Sequence, residues 1–160
     1  MTDREFHLPL HGMAEAIHIG EEDLPFVQLN SESLIQLLHV DLAAGLWVVR
    51  GRFPPGFETA THYHTGSVMA VTLTGSWWYI EYPDAVNSAG SYLFEPAHSV
   101  HTLKIGPEGA DIWFAINGAN VDVDGDGKVI SVLDARSILA AYQDACTSAG
   151  LDASNVLIKT

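Results

Sequence analysis

A chain of 160 residues, 48% of them hydrophobic, is sized for one compact domain around a single core, and residues 1–160 are read as one domain. Seven basic residues against twenty acidic ones leave a formal charge of −13, which argues against a nucleic acid or an anionic bilayer as partner; Arg50, Arg52, Lys104, Lys128 and Arg136 are scattered and form no basic patch. No apolar run approaches membrane-spanning length, the start "MTDREFHLPLHG" lacks the apolar centre of a signal peptide, and the single cysteine, Cys146, excludes an internal disulfide, so the expectation is a soluble cytoplasmic protein.

Residues 1–30 are polar, proline-punctuated and carry His7, His11 and His18. They read as an N-terminal arm that packs over other elements, with its histidines toward solvent. From Leu34 the character changes to short apolar or alternating runs: "LIQLLHVD", "LWVVRGRF", "SVMAVTLTG", "SWWYIEY", "SYLFEP", "VHTLKIG" and "DIWFAING". Glycine, proline, Asn and Asp separate them, and many short strands at even spacing predict an antiparallel sandwich or barrel rather than an α/β sheet. "DVDGDGKVISVL" sets Asp122, Asp124, Asp126 and Gly127 like a calcium loop, but Leu133 stands where the bidentate glutamate belongs and no helix precedes it. Residues 124–128 are therefore read as a hairpin turn. Finally, "DARSILAAYQDACTSAG" places Ala135, Ile138, Leu139, Tyr142 and Cys146 at helical spacing, with Asp134 able to cap the start and Gly150 the finish. A helix over 134–149 is predicted, and Cys146 within it reads as a buried, inert thiol.

The stretch "FETATHYHTG" holds His62 and His64 two positions apart. Eight histidines in this length give about 0.4 such pairs by chance, so the spacing decides nothing by itself. In a strand, however, residues i and i+2 project from one face with Cα atoms about 7 Å apart, and both imidazoles can converge on one ion while Tyr63 points away. "GSYLFEPAHSVHTL" supplies a third imidazole in His101, with His98 as its competitor. Two carboxylates are candidates for a further ligand. Trp77, Tyr79 and Glu81 share one strand face, and Ser91, Leu93 and Glu95 share another. A charge in so aromatic a strand as that of Glu81 is costly to bury unless a cation compensates it; otherwise Glu81 faces solvent on an edge. Phosphate-binding glycine loops, nucleophile elbows and paired-cysteine sites are absent from the sequence.

Gly56, His62, His64 and Gly75 resemble the first cupin motif, G-x5-H-x-H-x3-4-E-x6-G, and Gly90, Pro96 and His101 resemble the second, G-x5-P-x-G-x2-H-x3-N. The resemblance spans residues 53–105. It departs from the motifs where Val68 or Met69 replaces the glutamate, His98 a glycine and Ile105 the asparagine. Taken together, H-x-H-T-G, W-x-Y-x-E, G-S-Y-L-F-E-P and V-H-T-L resemble the cupin group of 2,4'-dihydroxyacetophenone dioxygenase and, more distantly, acetylacetone-cleaving dioxygenase. That resemblance implies an all-β cupin jelly-roll barrel with a C-terminal α-helix, assembled as a homodimer or homotetramer. It also implies a non-haem iron(II) held by His62, His64, His101 and Glu81, with Glu95 behind the ligands orienting an imidazole. The same imidazoles accept zinc, nickel or manganese. The implied reaction is cleavage of a carbon–carbon bond in an aryl hydroxyketone or β-diketone by O2, with the ketone bound as an enolate chelate. Trp77, Trp78, Tyr79, Tyr92, Phe94, Trp113 and Phe114 are candidates to line its pocket, and alternation allows only about half of them to face inward. Two other readings stay open: a cupin sensor or binding module, and a metal-dependent isomerase or lyase.

Overall fold

Short apolar runs broken by glycine and proline can bury themselves only against one another, and the computed structural model, which describes residues 14–29 and 31–160, shows how they do so. The strands are β1 (Val27–Gln28), β2 (Leu34–Asp41), β3 (Leu46–Phe53), β4 (His62–His64), β5 (Val68–Tyr79), β6 (Asn87–Ser88), β7 (Tyr92–Glu95), β8 (Val100–His101), β9 (Leu103–Asn117), β10 (Asn120–Val123), β11 (Val129–Leu133) and β12 (Leu157–Lys159). One helix, α1 (Ala135–Ser148), precedes the last strand. A larger sheet runs β1-β2-β3-β9-β5-β6, with β12 beside β2 and β7 beside β5, and a smaller sheet runs β11-β10-β4-β8. Every pairing is antiparallel except β12 on β2. This is the predicted all-β roll with its C-terminal helix. His7 and His11 lie outside the described residues; His18 is exposed, as expected. Among the described residues no helix is long and apolar enough to cross a membrane.

Leu37, Val40, Val49, Val68, Ala70, Trp77, Ile105 and Ile112 form the buried interior. The long strands β5 and β9 carry most of it, and their pairing slips between Thr72 and Thr74 and again between Gly75 and Trp77. Such irregularities bend a strand and sharpen its twist. Here the bend keeps Leu103 and Ile105 on β5 while His101, two residues before Leu103, pairs with β4 in the other sheet. Gly75 makes the bend possible. Its φ is +75°, and a Cβ there would sit 1.9 Å from the Gly109 carbonyl oxygen.

The helix is capped as its sequence predicts. Asp134 accepts from the backbone N–H groups of Arg136 and Ser137, and the Ser137 hydroxyl oxygen accepts from the Asp134 N–H. Ile138, Tyr142 and Cys146 form its buried face, while Leu139 is only partly covered. Tyr142 donates to the Pro25 carbonyl at 2.6 Å, and burial raises the Cys146 thiol above its usual range. Residues 124–128 form the expected turn, with Asp124 Oδ1 accepting from the N–H groups of Asp126 and Lys128.

The described part of the arm is anchored electrostatically. Arg50 grips Asp111 through Nε and Nη2, both at 2.7 Å, and Arg52 Nε adds a third contact at 3.1 Å. Glu21 accepts from both guanidinium groups, and Arg52 lies over the Phe26 ring at 3.9 Å. Burial alone would raise the Asp111 carboxyl; its bonds to Arg50 and Arg52 outweigh that and hold it below the ordinary range.

Two stability measurements check this account. Gly75→Ala should cost on the order of 2 kcal/mol or more, from strain and the backbone clash together, whereas Gly90→Ala, also at positive φ but in open space, should cost less. Equal losses in urea denaturation would contradict the close approach. Asp111→Asn should cost about 2 kcal/mol at neutral pH. Because the folded-state pKa is depressed, Asp111's contribution is present above the unfolded carboxylate value of about 3.9 and disappears as the pH falls below it. The gap between wild type and variant should therefore narrow from pH 7 to pH 3, and a constant gap would be the wrong outcome.

Candidate metal centre

The alternation in "HYH" turns His62 and His64 into the barrel and Tyr63 away from it. His101 on β8 lies directly opposite His62 in register, so two neighbouring strands of the smaller sheet deliver all three imidazoles. They are 7%, 6% and 1% exposed in the order His62, His64, His101. Ring centroids are 5.2 Å apart for His62 and His64, 4.9 Å for His62 and His101, and 6.1 Å for His64 and His101. One ligating atom from each ring lies within 4.8 Å of the others, a group that could hold a metal ion. His62 Nδ1 donates to the Ala60 carbonyl at 2.8 Å, which leaves the Nε2 lone pair free. Burial keeps the His62 imidazole below its usual pKa and lowers that of His64 to about 4, so both rings are neutral at physiological pH.

Glu95 ends β7 pointing inward, 4% exposed. Its Oε2 is 3.2 Å from His101 Nε2 and 3.6 Å from His64 Nε2. Its Oε1 accepts from the Tyr79 hydroxyl, whose ring stacks on His101 with centroids 3.9 Å apart and planes at 22°. Burial, with Glu95 beside it, raises the Tyr79 phenol far above its ordinary value, so Tyr79 keeps the proton it donates. Burial pushes Glu95 upward as well, but His101 and the Tyr79 hydroxyl overcome this, and the carboxyl is held below its usual range.

The donor set fits a cation. Glu95 Oε2 and His101 Nε2, which face each other at 3.2 Å, are buried without a hydrogen-bond partner, and each such group costs about 1–3 kcal/mol unless something satisfies it. Ligands held about 2.1 Å from one ion at right angles are roughly 3 Å apart, which matches the spacing between Glu95 and His101.

Glu81, expected as the fourth ligand, is placed elsewhere. β5 ends at Tyr79, the chain turns with the Tyr82 N–H donating to the Tyr79 carbonyl, and Glu81 is exposed there with Oε2 accepting the Thr102 N–H at 2.9 Å. The alternation that would have aligned it with Trp77 and Tyr79 stops two residues short. Between the competing histidines, the structure brings His101 into the cluster. His98 is exposed at φ 67°, the left-handed conformation favoured by the glycine that the motif has at this position. Of the seven candidate lining aromatics, Trp77, Tyr79 and Phe114 are buried; Tyr92 and Phe94 face outward, and Trp78 and Trp113 are partly covered. Sequence reasoning treated Tyr79 as lining only and weighed Asp122 only as a calcium-loop position, whereas Asp122 pairs with His62 in register and accepts from Asn120 Nδ2 and Ser131 Oγ. The alternation shared by β4 and β10 was the available signal for Asp122.

The family described as the ChrR cupin-like domain matches residues 14–120. The chain belongs to this cupin family. Among solved structures, a Ralstonia eutropha JMP134 protein of unknown function with a cupin-like fold is 29% identical, with 92% of this chain and 94% of that one covered and a TM-score of 0.83. Acetylacetone dioxygenase from Acinetobacter johnsonii is 20% identical over 88% of this chain and 99% of its own, with a TM-score of 0.71. Rhodobacter sphaeroides ChrR, an anti-sigma protein solved in complex with SigE, is 15% identical over 61% of this chain and 51% of its own, with a TM-score of 0.50. At these identities the last two likenesses show a shared cupin fold alone. No curated protein matches the sequence.

Metal titration of chelator-treated protein checks the placement of this cupin's histidines and carboxylates. Saturating divalent metal should raise the melting temperature of wild type and Glu81→Gln alike, by the equivalent of about 2.7 kcal/mol at a hundredfold excess over Kd. The rise should vanish in His101→Ala and shrink in Glu95→Gln. A larger loss in Glu81→Gln than in Glu95→Gln would overturn the placement.

Proposed function

We propose that this cupin is a non-haem iron(II) dioxygenase that cleaves a carbon–carbon bond of an aryl hydroxyketone or β-diketone with O2. The observation that carries the reading is the convergence of three buried imidazoles and one carboxylate inside the barrel. In this proposal His62, His64 and His101 hold the ion, and Glu95, in place of Glu81, completes the set. The chemistry such an ion supplies is Lewis-acid binding of an enolate through two oxygens together with redox activation of dioxygen. The products are a carboxylic acid and a smaller carbonyl or acid, which between them receive both oxygen atoms.

The chain's own residues set the conditions. An imidazole ligand brings no charge to the ion, so three of them and a single carboxylate would cancel only one unit of a divalent charge, which favours a ketone bound as its monoanion. The Ala60 carbonyl fixes the His62 tautomer, and Tyr79 fixes the plane of His101 by stacking and the carboxylate of Glu95 by donation. Trp77, Phe114 and Tyr79 supply apolar walls that keep bulk water from the reacting atoms. The β-diketone class is taken by analogy from acetylacetone dioxygenase, whose fold this chain shares.

A second reading, a metal-loaded sensor, is favoured by the match to the ChrR cupin-like family. Oxygen uptake separates the two. After anaerobic reconstitution with iron(II), the protein should consume one O2 per ketone turned over with at least one member of a panel of β-diketones and hydroxyacetophenones. Glu95→Gln should lower kcat on the order of tenfold or more. Stoichiometric bound iron with no uptake across the panel would overturn the dioxygenase reading in favour of sensing.

A further inference from the structure

Cross-strand partners in a sheet share a face, so register identifies the side chains that lie beside the three imidazoles. His101 on β8 faces His62 on β4, His62 faces Asp122 on β10, and Asp122 faces Ser131 on β11. These four residues form one straight row across the inner side of the smaller sheet. The adjacent row runs from His64 through Asn120 to Leu133, and Leu133 packs against the hydrophobic core, as the inner side requires. Along the first row the cover falls steadily: His101 and His62 are buried, Asp122 is half-buried and Ser131 is exposed. Trp77 and Tyr79, both buried, close the side contributed by the larger sheet.

The Asp122 carboxylate is fixed in place with acceptor capacity to spare. Its Oδ1 accepts from Asn120 Nδ2 at 2.8 Å and its Oδ2 from Ser131 Oγ at 2.5 Å. A carboxylate offers about four acceptor sites, so two remain after these bonds. Among the described residues Asp122 takes part in no ion pair. The pairing of β10 with β11 slips immediately after this row, between Asp122 and Val123, an irregularity of the kind that re-aims side chains at barrel rims.

We propose that this row is the way into the metal chamber and that Asp122 is the specificity-determining residue at its mouth, accepting a hydrogen bond from a donor group on the incoming ketone and turning carboxylates away. The inference rests on the reading of the chamber as a ketone site. Directly paired residues have Cβ atoms about 4.5–5.5 Å apart, so Asp122 stands immediately outside His62. An ionised carboxylate only accepts, and a hydroxyl that reaches it forms a charge-assisted bond. A methoxy group in the same place offers no hydrogen. A carboxylate there adds a second negative charge beside the first, which a neutral ketone does not.

Binding to protein loaded with zinc, a redox-inert ion, tests the assignment without oxygen chemistry. The probes are benzoylacetones that carry a hydroxyl, a methoxy or a carboxylate group on the ring position farthest from the diketone, titrated by calorimetry. Wild type should bind the hydroxyl form about tenfold or more tightly than the methoxy form, and the carboxylate form most weakly. Asp122→Ala should abolish the preference for hydroxyl, and Asp122→Asn should bring the carboxylate form level with the methoxy form. Both variants should keep the methoxy affinity and the circular dichroism of wild type. Ser131→Trp should slow association of all three probes about tenfold or more in stopped-flow mixing, and an unchanged rate would overturn the route. Parallel loss of all three probes in Asp122→Ala, the signature of a structural role, or equal binding of the three by wild type, would overturn the specificity while leaving the ketone reading in place. Selective binding without oxygen uptake by the iron form would uphold the specificity and remove the dioxygenase reading, and binding of no ketone at all would remove both.

Discussion

A carboxylate buried inside a β-barrel must be compensated, and the site is organised around that constraint. Glu95 has one oxygen satisfied by Tyr79 and the other 3.2 Å from His101 Nε2, itself buried and partnerless, and 3.6 Å from His64 Nε2. His62 and His64 cannot supply the missing charge, since burial drives both toward the unprotonated state, and His101 with the Tyr79 hydroxyl is left to hold the carboxylate below its usual range. A divalent cation resolves every term at once. It would satisfy the ring lone pairs turned toward it, neutralise the carboxylate and leave one positive charge for an anionic ligand.

The fold prepares this arrangement through register. β4 and β8 are only three and two residues long, and what fixes them is their place between longer elements. β10 holds β4 from one side, and β9 carries His101 into position because its first residues remain locked to β5 beyond the bend at Gly75. The residues that bear the chemistry thus sit on strands too short to be stable alone. Their orientation is set by the long β5 and β9 pairing, so strain at Gly75 would reach the imidazoles through the backbone.

Much of this was legible in the residues themselves. His-x-His on an extended strand, the glycine-bounded segments and the late His101 predicted the histidine cluster. The capping residue Asp134 and the spacing of Ile138, Tyr142 and Cys146 predicted the helix. The two acidic candidates show where alternation stops being a guide. Alternation places Glu81 beside Trp77 and Tyr79 only while the strand continues, and the turn after Tyr79 ends it. Glu95 keeps its alternation to the last residue of β7 and reaches the interior. Nothing local distinguishes the two cases, because the end of β5 is set by its partner β9. His98 and His101 show a complementary point: the backbone at His98 needs a positive φ, and the sequence signals this only through the glycine that the motif has there.

The central claim is that the interior carboxylate and the three imidazoles share one ion. Anomalous diffraction at the iron absorption edge, from crystals grown with iron(II) in the absence of oxygen, tests it most directly. The account requires a single strong peak within bonding distance of His62, His64, His101 and Glu95. Density bonded to Glu81, or no peak among the three imidazoles, would contradict it.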